Sequence, residues 1–424
     1  MSPIVTALLV ACNLGLIFLL MTVPLGLRTV RLSRLVAADR HRLWQVLWPL
    51  GSDAGWSGKI LSAEALDGPG AARIRLSWEG RDGQPIERKV LLEDVVEDSR
   101  FSMCVVDDTS LDASFFADYR ETTELIAEGT ATRVILSQTD RYRGIAFLVF
   151  RYFAMRRELG KLEIWVRTGH YRKGGWFEHP LSQVGFAVLS AFILWPLFGL
   201  NLGGLALAAI LTSVVALHEL GHMAAFRLTG HRQARMIFIP LLGGIAIGGR
   251  PYDSRFEVAF VALMGAGFSA FLVPLLIAAS ALASGEGHRL AATLLATLAG
   301  CAALFNIANL VPVWKFDGGQ VLRQICQGPI ALALASFSLL SALLALGWLA
   351  GFSSGFLLVA CAVFSILSLL TMGSAVKPRH DLKPIRTFDR FAMAGALLAV
   401  FAIHGYGLLW ASARLLGAGI SPMG

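Results

Sequence analysis

Apolar and polar positions divide this chain into three regimes. Residues 4–26 are one apolar run, long enough to cross a bilayer. No lysine or arginine precedes it, and Arg28, Arg31, Arg34, Arg40 and Arg42 follow it. A secretory signal has the opposite charge order, so the pattern predicts a membrane anchor with its N-terminus outside. From 29 to 168 charges are frequent and apolar runs short. Alternation predicts strands over 71–78, 86–96, 101–106, 115–126 and 130–138, with turns at Asp67-Gly68-Pro69-Gly70, Arg81-Asp82-Gly83 and Glu128-Gly129. A helix over 39–47 precedes them and a long one over 144–162 follows, which makes an α+β domain. A linker, 169–180, leads into a second apolar regime.

Spans are predicted near 181–200, 203–227, 256–283, 290–312, 329–350, 355–373 and 389–411, eight with the anchor. Residues 236–249 are apolar but too short to span. Their four glycines and one proline argue against a helix and for a re-entrant hairpin, tolerated at membrane depth where it lines a cavity. The fold class expected is therefore a polytopic α-helical membrane protein carrying one α+β soluble domain.

Composition agrees: 55% of residues are hydrophobic and 16% charged, beyond the range of soluble domains. The net charge of +8 matters through its placement. Arg227, Arg232, Arg235, Arg250 and Arg255 share one loop, Lys315 and Arg323 another, and Lys377, Arg379, Lys383, Arg386 and Arg390 a third. The opposite connections are almost uncharged. The positive-inside rule puts these loops and the soluble domain in the cytoplasm, most simply at a bacterial inner membrane. Basic residues confined to juxtamembrane loops give no support to nucleic-acid binding. Five scattered cysteines with no CxxC pair argue against a cysteine metal site or a disulfide scaffold.

The chemistry concentrates in His218-Glu219-Leu220-Gly221-His222, inside a predicted span. Histidines at i and i+4 share one helix face and can hold one zinc ion, and the glutamate is placed to act as general base. Asp317 follows a later span broken by Pro312, in Asn309-Leu310-Val311-Pro312-Val313-Trp314-Lys315-Phe316-Asp317-Gly318. It reaches a similar depth from the same side, so His218, His222 and Asp317 make a two-histidine, one-carboxylate ligand set with an open fourth position. Asp317 as a mere turn residue is the competing reading. Of the other histidines, His41, His170, His179, His231 and His380 read as solvated, and His404, in the last span, as packed and hydrogen-bonded.

These residues resemble the site-2 protease family of intramembrane metalloproteases: HExxH in one span, a glycine-rich hairpin, then N-x-x-P-x-x-x-F-D-G. The resemblance covers about residues 181–325. It implies zinc on His218, His222 and Asp317, Glu219 as base, and Asn309 near the scissile peptide, with Gly243 and Gly244 of the hairpin helping to position substrate. Two departures stand out. Met264-Gly265-Ala266-Gly267-Phe268-Ser269-Ala270 lacks the proline and asparagine frequent in the family, and Phe316 replaces a leucine. Residues 29–168 resemble START-like (polyketide cyclase-like, helix-grip) domains through the pattern Val30 to Val36, Ala38-Asp39 and Val46-Leu47-Trp48. That resemblance implies a cavity for a lipid or other apolar ligand between the sheet and the last helix. A filled core and a cytosolic interaction role remain the alternative.

Taken together, the chain divides into an anchor (4–26), a START-like domain (29–168), a linker (169–180), a catalytic membrane core (181–325) and C-terminal helices (326–424). The activity expected is zinc-dependent endoproteolysis within transmembrane segments of single-pass membrane proteins. The alternative is a non-proteolytic, lipid-sensing membrane adaptor on a protease-like core.

Overall fold

The structure, a computed structural model, describes residues 22–171, 179–239, 243–371 and 379–417, with isolated positions 15, 18–20 and 174. The predicted anchor lies almost entirely outside them. The chain forms two compact units, Met1–Lys173 with Gly373–Asp381, and Gly174–Met372 with Leu382–Gly424.

The first unit is built on seven antiparallel strands: β1 (Pro24–Val36), β2 (Ile60–Ala65), β3 (Ala71–Glu79), β4 (Pro85–Val96), β5 (Arg100–Asp108), β6 (Arg120–Glu128) and β7 (Ala131–Arg143). Their order is β1-β7-β6-β5-β4-β3-β2, a meander whose first strand returns to pair with the last. Helix α1 (Arg40–Leu47) follows β1, started by the Asp39 carboxylate, which accepts from the Arg42 amide at 2.8 Å. Helix α2 (Ile145–Thr168) closes the unit. Met155, Leu159, Leu162 and Val166 fall on one face of α2 and bury against Val30, Val134, Leu136 and Leu125. Trp44, Trp48 and Phe101 fill the space beside them, Trp44 stacking on Trp48 at 5.1 Å. A long helix gripping a curved antiparallel sheet is the helix-grip arrangement.

Several expectations shift. Strand β1 begins at Pro24, inside the stretch read as the end of the anchor. Residues 115–119 are not strand: a 3-10 turn at Ala113–Phe116 precedes β6, with the Asp112 side chain accepting from the Ser114 amide at 3.0 Å. Strand β2 was not expected, because its Ser, Ala and Glu residues give little apolar alternation. Helix α2 runs past 162 because the 155-159-162-166 stripe continues its buried face. Residues 379–381, expected to belong with the C-terminal helices, join this unit. The Arg379 guanidinium bonds Asp107 at 2.5 Å and the Asp108 carbonyl at 2.8 Å, and Arg81 donates to the His380 and Asp381 carbonyls.

The second unit is helical: α3 (Pro180–Leu194, extended by a 3-10 turn to Phe198), α4 (Leu202–Leu228), α5 (Arg255–Gly285), α6 (Arg289–Asn309), α7 (Asp317–Ile325), α8 (Pro329–Leu349), α9 (Ser354–Thr371) and α10 (Thr387–Leu416). Six of its helices are long and apolar enough to cross a membrane, and the described part of α9, Ser354–Leu367, is a shorter apolar helix. Eight spans are therefore not reached among the described residues. Helix α6 ends at Asn309, short of the predicted 312, and Pro312 lies in the loop that follows. Between α4 and α5, β8 (Arg235–Ile239) and β9 (Gly243–Ile247) pair antiparallel, Met236 opposite Ala246 and Ile239 opposite Gly243. The segment read as a glycine-rich hairpin is thus two short strands, joined through residues 240–242, which lie outside those described.

Candidate metal centre

Helix α4 presents His218 and His222 one turn apart, as i,i+4 spacing dictates. Asp317 is the first residue of α7, positioned where the chain re-enters a helix after the Pro312 loop. The three side chains converge. The two Nε2 atoms lie 3.1 Å apart, and Asp317 Oδ2 lies 3.2 Å from that of His218 and 3.4 Å from that of His222. His218 and Asp317 are buried.

The hydrogen bonds behind the rings fix their tautomers. Asn306 on α6 donates its amide to the Ala302 carbonyl at 2.7 Å, so its Oδ1 faces His218 Nδ1, 2.8 Å away, and can only accept. His222 Nδ1 lies 2.7 Å from the Val261 carbonyl, also an acceptor. Both Nδ1 atoms therefore carry the proton, and in neutral rings both Nε2 lone pairs point inward. Two imidazole lone pairs and one carboxylate oxygen then meet in a buried space, and Asp317 Oδ2 has no hydrogen-bond donor among the described residues. That arrangement is repulsive by itself and complementary to a cation. Two nitrogens and one hard oxygen, each nitrogen oriented from behind, form a donor set that fits zinc with a fourth position open.

Glu219 stands beside the trio. Its Oε2 accepts from the Ala246 amide of β9 at 2.8 Å. It faces a cleft of about 250 Å³ lined by His222, Asp317, Gln320, Tyr252 and β9 residues Gly244 to Ala246. Gly244 packs directly on it: a Cβ there would lie 2.5 Å from Glu219 Cγ. Gly265 of α5 faces the rings in the same way, and a Cβ would fall 2.5 Å from His222 Nε2 and 2.6 Å from His218 Cε1. Only glycine leaves room for the paired imidazoles.

The structure thus brings together His218, Glu219, His222, Asp317 and Gly244. Gly243 sits at the hairpin end, against Val215. Asn309 does not join them; its amide donates to the Phe305 carbonyl at 3.0 Å. The asparagine that touches the cluster is Asn306, which sequence reasoning missed. Its signal was faint: a second amide side chain three residues earlier, in an otherwise apolar helix. Gly265 was also missed, within the stretch noted for lacking a proline and an asparagine. His231, read as solvated, is fully buried and bonds Glu257 at 2.7 Å. His404 is packed as expected, its Nε2 2.9 Å from the Ala266 carbonyl.

Comparison with protein-family models and with curated proteins returns no match. Solved structures resemble part of the chain. A START superfamily protein from Mycobacterium smegmatis aligns at 14% identity over 33% of this chain and 97% of its own, with TM-score 0.26. The Aha1 dimer from Colwellia psychrerythraea gives 12%, 35%, 99% and 0.27, and the Mll3558 protein from Rhizobium loti 20%, 32%, 96% and 0.25.

Proposed function

We propose that this chain is an intramembrane zinc endopeptidase of the site-2 protease type, cutting transmembrane segments of single-pass membrane proteins. The observation that carries the reading is the tautomer-fixed convergence of His218, His222 and Asp317 beside Glu219. A bound zinc would polarise the scissile carbonyl and acidify a water. The geometry supports the following work for the chain's own residues. Glu219, oriented by the Ala246 amide, takes the proton of the attacking water and passes it to the departing amine. Asn306 and the Val261 carbonyl hold the rings in register.

Substrate binding has a candidate surface. The Ala246 amide points away from β8 and toward Glu219, so the free edge of β9 runs along the cleft. An unwound substrate segment added to that edge would present its amides to Glu219. In this reading the chain spans a bacterial inner membrane eight times, the anchor included, with basic loops and the helix-grip domain in the cytoplasm. The first half of α2 exposes Phe147, Phe150 and Phe153 close to arginines 143, 151 and 157, a composition suited to an anionic lipid surface. An apolar ligand in the domain belongs to the same proposal.

The test pairs metal content with cleavage. Purified wild type and Glu219→Gln should both hold about one zinc per chain, as a single three-ligand site implies, and only wild type should cut a reconstituted transmembrane substrate. A chain that retains no zinc after purification in zinc-supplemented buffer favours the alternative, a lipid-sensing adaptor on a protease-like core.

A further inference from the structure

A second site lies away from the metal cluster, between α7, α8 and α10. These helices stand apart along a slot of about 710 Å³. Its walls are apolar: Leu322 and Ile325 of α7, Leu339 of α8, Leu397 and Phe401 of α10. The charged and amide groups gather at one end, Gln327 just before α8 and Arg390 in the first turn of α10, and farther along the slot the Ser338 hydroxyl of α8 is the polar group. Arg390 Nε is buried and has no hydrogen-bond partner among the described residues. A guanidinium nitrogen shut away from water without an acceptor costs free energy, so its surroundings are complete only with an acceptor present.

The depth of the slot identifies the acceptor. On α10 the lining runs from Arg390 to Phe401, and on α8 from Ala331 to Ala342, each about 16 Å at helical rise. That is close to half of a hydrocarbon core of roughly 30 Å, the reach of one leaflet. A soluble anion would satisfy Arg390 but leave the apolar walls bare, and a whole transmembrane helix would need twice the depth. We infer that this slot binds one anionic glycerophospholipid, its phosphate and headgroup on Arg390 and Gln327 and one acyl chain along α8 and α10. Because Leu322 and Ile325 belong to the helix that begins with Asp317, the bound chain packs against α7 itself.

The full-length protein is reconstituted in phosphatidylcholine vesicles containing a minor fraction of phosphatidylglycerol with a photoreactive acyl chain. After illumination, labelled peptides are mapped by mass spectrometry. The label should concentrate on 331–342 and 394–401 and vanish from both in Ala335→Trp, which fills the slot. Arg390→Gln should lower that labelling about 5-fold, the worth of one cation at an anionic surface, and should lower labelling by a photoreactive phosphatidylcholine, which shares the phosphate but carries no net charge, by less. Label spread evenly over all lipid-facing helices of wild type overturns the site whatever the variants do. Label in the slot that is indifferent to Arg390→Gln overturns the anionic headgroup. Cross-linking of a membrane-spanning protein there in place of lipid overturns the occupant.

Discussion

Gly265→Ala is the smallest change that should disable the centre. Alanine is the better helix former by about 1 kcal/mol, so propensity alone favours the variant. The added methyl, however, would lie 2.5 Å from Cε1 and Nε2 of His222 and 2.6 Å from His218 Cε1. Ordinary contact begins near 3.4 Å, and drawing α5 back would open its close packing on α4, where the Met264 carbonyl and Phe268 lie over Gly221. The rings must retreat by roughly 1 Å, several times the ~0.2 Å that metal–ligand distances tolerate. A misplacement of that size should cost about 10²-fold in rate and 10- to 100-fold in metal affinity. Gly267→Ala is the matched control. Two residues along the same helix, its methyl meets only Met264 Sδ at 3.4 Å and Val400 Cγ2 at 3.9 Å, ordinary contacts. The assay is zinc retention under titration with a chelator, read beside the thermal transition of each variant. Gly265→Ala should lose zinc at a lower chelator concentration than wild type while Gly267→Ala does not. Equal retention in all three proteins would refute the packing argument, and so would equal damage in both variants.

Other substitutions separate the roles of neighbouring groups. Glu219→Gln should keep zinc and lose about 10²- to 10⁴-fold in cleavage, the usual worth of a general base; normal turnover on a reconstituted substrate would remove Glu219 from the mechanism. Asn306→Leu should weaken zinc retention 10- to 100-fold by freeing the His218 ring, whereas Asn309→Leu should leave it unchanged; the reverse ranking would mean that the motif asparagine supports the metal. In the helix-grip unit, Asp108 is buried, pairs with Arg88 at 2.9 Å and accepts from the Ser110 and Leu111 amides. Asp108→Ala should destabilise that unit by about 3 kcal/mol, measured as a lower midpoint in denaturant. Single cysteines at 380 and 287 should react with impermeant reagents from the cytoplasm and from outside, respectively, and the opposite pattern would invert the proposed topology.

Much of the helical architecture was legible because spans announce themselves by length and hydropathy alone. The HELGH spacing fixed two ring positions, since i,i+4 residues cannot avoid one another on a helix. Asp317 was legible as a ligand candidate through its depth, although its seat at the start of a new helix follows from the Pro312 loop and not from the span before it. What the sequence hid lies in contacts between elements. Asn306 and Asn309 are equivalent in composition and differ only in which face of α6 meets α4. Gly265 reads as one more glycine in a small-residue stretch until the rings are seen against it. His231 looked solvated because arginines surround it in sequence, yet its ring folds under Tyr252 and onto Glu257. Residues 379–381 are polar and juxtamembrane by sequence, and only the fold shows that they return to the sheet.

The most direct test of the central claim is a comparison of membrane proteomes from cells that differ only in Glu219→Gln. Trapped between intact precursor and released product, at least one membrane-tethered protein should accumulate as a truncated stub in the variant and be cleared in wild type, with its new terminus in wild type mapping inside a predicted transmembrane segment. Identical stub populations in the two strains, with the variant expressed and zinc-loaded, would contradict the assignment of this site to intramembrane proteolysis.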